Sequence, residues 1–118
     1  MPVQTFYPRP DGPIASWSET QAQRWIQAEV KAGNVIFSGH AVDDKSAKCN
    51  VALDDALEAI RKGRRTRWEP GQKKKTREPT MNMTFEQRQK SRTIGVVTSI
   101  ADGEPDVVVV TLWSNINL

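Results

Sequence analysis

The chain has 118 residues, 37 % of them hydrophobic and 26 % charged, which predicts one soluble globular domain with a modest core. Its lone cysteine, Cys49, excludes a disulfide within the chain, and its longest apolar run, Val107 to Val110, is too short to span a membrane. The net charge of +3 conceals a split, because Arg61 to Arg92 holds twelve Lys or Arg against three acids, a block of +9, while the flanks carry −6.

Such a block is the electrostatic footprint expected of a protein that meets a polyanion. The competing reading is a solvated loop that only keeps the chain soluble.

Residues 1–15 carry prolines at 8, 10 and 13 and Gly12, and read as an extended arm, laid over the body or loose. The opening MPVQTFYPRPDGP lacks the basic-then-apolar pattern of a signal peptide. The expected location is cytoplasmic, or the cytoplasm of a target cell. The domain is expected over 16–118.

Ser16 with Glu19 and Ser18 with Gln21 both fit a capping box. Ala22, Trp25, Ile26 and Val30 then recur at helical spacing, and Gly33 reads as a left-handed stop. A helix is predicted over 19–32, then a short strand over 34–39. A helical turn over 41–48 is weakly signalled.

From Asn50, the residues Leu53, Ala56, Leu57 and Ile60 form one apolar face. Asp54 and Asp55 open this helix, and Arg61 and Lys62 close it, in agreement with its dipole. Gly63 ends it. In Arg65-Thr66-Arg67-Trp68, the two arginines alternate with Thr66 and Trp68, as in a strand. PGQKKKT is a loop. Met81, Met83 and Phe85 alternate with Asn82, Thr84 and Glu86, a half-buried strand. RTIGVVTSI and DVVVVTLW, split by ADGEP, read as a hairpin, its valine run suited to a strand buried on both faces. The expected fold is α+β, with N-terminal helices on one face of a four- to five-stranded antiparallel sheet and the other face open to a ligand.

Little metal or cofactor chemistry is legible, and none is expected. One His and one Cys cannot supply the four ligands of a structural zinc site. Asp43-Asp44 and Asp54-Asp55 read as helix-start residues. No phosphate-binding glycine loop exists, because Gly63, Gly71 and Gly95 are scattered. What remains is His40, the basic block and the hydroxyls of the last strands. These are ingredients for metal-free RNA cleavage: a base for the 2′-hydroxyl, a cation for the phosphate and an acid for the leaving oxygen. Histidine titrates near neutrality, and arginine can grip two phosphate oxygens at once. The competing role for His40 is to fill the turn after a strand.

Ser38-Gly39-His40-Ala41, the helix ending at Gly63 and the closing Val110-Thr111 resemble the domain-of-unknown-function family numbered 4258, over about residues 34–113. That family is similar to small α+β ribonuclease toxins of the barnase, EndoU and RelE-like group. The resemblance implies two helices against a four- or five-stranded antiparallel sheet. It also implies RNA cleavage without a metal, with a cognate antitoxin or immunity protein as a further partner. The family helix after the His-Ala pair commonly carries arginines, whereas VDDKSAKCN has only Lys45 and Lys48.

The leading expectation is a ribonuclease-like domain with His40 as base or acid. Arg65 and Arg67 would face the phosphate, and Arg92 and Thr111 would complete the site. Arg64, Lys73, Lys74, Lys75 and Arg77 would hold the RNA backbone. The alternative is a non-catalytic module that binds nucleic acid or a protein, such as a phage- or plasmid-encoded inhibitor of a host defence complex.

Overall fold

The computed structural model describes residues 7–42, 49–71 and 80–116. Helix α1 is Glu19–Lys31, followed by strand β1 (Val35–Phe37), helix α2 (Leu53–Lys62) and strands β2 (Arg64–Pro70), β3 (Thr80–Gln89), β4 (Arg92–Ala101) and β5 (Val107–Ile116). The protein is α+β. Of the two capping boxes legible before α1, the one formed is Ser18 with Gln21. Ser18 Oγ accepts from Gln21 N at 3.1 Å, and Gln21 Oε1 accepts from Ser18 N at 3.0 Å. Gly33 closes the helix at φ +88°, a left-handed conformation that a β-carbon disfavours.

The arm packs on the body from Tyr7 onward. The Arg9 guanidinium lies 4.7 Å from the Trp25 ring centre and 5.2 Å from that of Trp17. It also donates to the carbonyls of Ala101 and Glu104, so the arm is pinned to the β4–β5 turn.

Helix α2 begins later than its apolar pattern suggests, because Asn50 is left-handed (φ +52°) and Ala52 is extended at the cap. Its fully buried residues are Ala56, Ala59 and Ile60, while Leu57 is half-buried. Gly63 does not end the helix by a left-handed turn, since its φ is −76°. Its reason is space: a β-carbon there would lie 2.1 Å from the Ala59 carbonyl oxygen and 2.7 Å from that of Glu86.

The sheet has five strands in the order β1-β5-β4-β3-β2. Strands β2 to β5 form the expected antiparallel meander. The sheet as a whole is mixed, because β1 joins the outer side of β5 in parallel, Val35 opposite Val107 and Phe37 opposite Val109. A purely antiparallel sheet is therefore a wrong expectation. The chain leaves β1 through helical sequence and returns only after the whole meander, a long connection of the kind parallel pairing needs.

Alternation along the strands divides the sheet into two faces. On the first face Met83, Phe85, Val96, Thr98, Val109 and Leu112 are buried. The apolar members of this set share one core cluster with Trp25, Ile26, Ala56 and Ile60 of the helices. The valine run is not buried on both faces: Val107 and Val109 are buried, whereas Val108 and Val110 are half-exposed on the second face.

Candidate nucleic-acid interface

The strand registers set the second face as a series of crosswise rows. One row runs Arg64, Glu86, Gly95, Trp113, and the next runs Arg67, Thr84, Val97, Thr111. A third holds Arg88, Thr93 and Asn115. Thr84 is buried, but Arg64, Arg67 and Arg88 are exposed. Among the described residues these three arginines make no ion pair. Two acids share this part of the face: Glu86, directly opposite Arg64, and exposed Glu69, two residues beyond Arg67 on β2.

A bulge at Thr66 makes this arrangement. Simple alternation would set Arg65 and Arg67 on the same face. The register shifts between them, so Arg65 lies opposite buried Phe85 and Arg67 opposite Thr84. Arg65 consequently turns to the first face. Its Nε meets Glu19 Oε2 at 3.2 Å, and its Nη1 donates to Gln23 Oε1. Arg92 also serves the fold, donating to the carbonyl of Asn50 and standing 3.5 Å from Asp55 Oδ2.

His40 is exposed in a helical turn over 39–42, immediately after β1. The residues around it explain the motif locally. Ser38 Oγ accepts from Ala41 N at 3.1 Å and donates to the Val110 carbonyl at 3.2 Å, while Ala41 is fully buried. Ser38 thus caps the turn and ties it to β5 beside Thr111. Arg67 stands on β2, the opposite edge of the sheet. At about 4.8 Å per strand, the four spacings between β1 and β2 amount to about 19 Å. A base and a phosphate-binding cation must reach one scissile group together. His40, Arg67, Arg92 and Thr111 are not brought together in this way. Lys73, Lys74, Lys75 and Arg77 lie outside the described residues.

Sequence reasoning missed Trp113, Gly95 and Arg88. A β-carbon on Gly95 would lie 1.9 Å from Trp113 Cε2 and 2.1 Å from Cζ2, so the indole sits directly over the glycine. The signal was present, since a glycine inside a strand marks a close approach by another group. Arg88 lay beyond the predicted end of its strand. Among the described residues no three His, Cys, Asp or Glu gather as a metal site. No helix there is long and apolar enough to cross a membrane.

No model of a known protein family matches the chain, and neither does any curated protein or solved structure. The Ser-x-His-Ala resemblance rests on the residues that carry it.

Proposed function

We propose that the chain is a non-catalytic module that binds single-stranded RNA on the second face of its sheet. In this reading the two helices cover the first face and leave the second to the ligand. The observation that carries it is the row from Arg64 to Trp113, with Arg67 and Arg88 in the rows on either side. Three exposed guanidinium groups lie along β2 and β3, and a half-buried indole lies on β5. Cations that track a phosphate backbone, and an aromatic two to three strands away on which a base of the same strand can stack, are the two parts of sequence-tolerant single-strand recognition. Stacking requires an unpaired base, which favours single strands over duplex. Half-exposed Thr111 offers a hydroxyl beside the indole on β5.

Catalysis is not part of the proposal, because His40 follows β1 and Arg67 stands on β2, the two opposite edges of the sheet. The experiment is a fluorescence-polarisation titration of a short labelled single-stranded RNA at several salt concentrations. The same mixture is then run on a denaturing gel after incubation in EDTA. Salt-dependent binding with intact RNA is the expected result. Cleavage that His40→Ala abolishes would restore the ribonuclease reading. No binding at low salt would end both RNA readings.

A further inference from the structure

Along one diagonal of the second face, three exposed arginines with Glu86 and Glu69 among and beside them stand at one end, and acids at the other. Arg64, Arg67 and Arg88 mark the corner where β2 and β3 meet the α2 end of the sheet. The opposite corner, at the β4–β5 turn and β1, holds Glu104 and Asp106. There a groove of about 590 Å³ is floored by Ile36, Val108 and Val110. Ile36 is 51 % exposed, which is unusual for a large aliphatic side chain in a strand. The nearby Arg9 is directed at the carbonyls of Ala101 and Glu104 and stacked on two tryptophans, so the Glu104 carboxylate is left exposed.

We infer that a second copy of this chain docks on this face, sheet against sheet. A two-fold axis lying between the facing sheets, perpendicular to the diagonal, lays each basic corner on the partner's acidic corner. Both charge contacts form at once, as a two-fold interface requires. The apolar floor of each groove is covered in the same step. The size is at the lower end of what a specific interface needs: three strands of ten residues, one of seven and one of three, at about 3.3 Å per residue and about 4.8 Å per strand, give a face of roughly 600 Å². Two such faces bury about 1,200 Å², the lower bound of a standard interface. The inference goes beyond RNA binding and does not depend on it. Where both hold, RNA and the second copy compete for Arg64 and Arg67.

The test is sedimentation velocity of the full chain at low salt, over concentrations up to several hundred micromolar. One variant carries Glu104→Lys and Asp106→Lys, the other Arg64→Glu and Arg67→Glu, with folding checked by circular dichroism. The parent should form a dimer that weakens as salt rises. Each variant alone should remain a monomer, since both of its corners then carry one sign. An equimolar mixture of the two should recover the dimer, because every corner again meets its opposite. A parent that stays monomeric at every concentration overturns the inference and leaves the groove to a different protein. Dimers that persist in both variants also overturn it, as does a mixture that fails to associate. None of these readings involves RNA, so failure here is distinct from failure of RNA binding.

Discussion

The Trp113 indole occupies the place that a β-carbon on Gly95 would need, with Cε2 only 1.9 Å from it. The two residues are directly paired across β4 and β5, so this close approach holds the aromatic on the second face. Gly95→Ala should displace the ring. The expected cost is about 1–3 kcal/mol, the usual range for overpacking a tight site. Chemical denaturation measures it. The same variant should weaken RNA binding, because the stacking platform moves.

The arginines divide by face, and their substitutions should divide likewise. Arg92→Ala loses a bond to the Asn50 carbonyl and an ion pair with Asp55. Its expected effect is a loss of about 1–2 kcal/mol in stability with no change in the salt slope of RNA binding. Arg67→Ala should do the reverse. Stability should stay within about 0.5 kcal/mol, as for most surface changes. The slope of log K against log salt should fall by about 0.7, one phosphate contact on a single strand. Parallel denaturation and binding titrations separate the two residues.

In α2 the buried side is centred on Ala56, Ala59 and Ile60 rather than on Leu57. Ile60→Ala should therefore cost about 2–5 kcal/mol, the range for a fully buried aliphatic. Leu57→Ala should cost less. Equal losses in urea unfolding would show that both side chains are equally buried.

Gly63→Ala places a methyl against two backbone carbonyls, of Ala59 and Glu86. Neither can move without shifting α2 from β3. The variant should lose about 1–3 kcal/mol although its φ suits any residue. A thermal melt matching the parent would contradict this packing.

Local patterns carried much of the fold. The Ser18–Gln21 box, the Gly33 stop and the alternation of Met81, Met83 and Phe85 are short-range signals, and each appears in the structure. The parallel pairing of β1 with β5 is not local, and nothing within VIF says which strand it will join. The bulge at Thr66 was equally hidden. It depends on how β2 meets β3, and it decides which of Arg65 and Arg67 faces solvent. Residue chemistry is legible in the sequence, but strand order and register, which set His40 and Arg67 at opposite edges of the sheet, are not. Gly95, a glycine inside a strand, is the one local sign of the indole that covers it.

The proposed binding of single-stranded RNA rests on Arg64, Arg67, Arg88 and Trp113 of the second face. Its most direct test is the salt dependence of RNA binding by the parent, by the Arg64→Ala, Arg67→Ala, Arg88→Ala triple variant and by Trp113→Ala. The parent should bind at low salt, and the triple variant should show a slope lower by about 2, at about 0.7 per phosphate contact. Trp113→Ala should lose about 1–3 kcal/mol in affinity, the worth of one stacked base. A parent that fails to bind at low salt would contradict the proposed binding, and so would a triple variant with an unchanged slope.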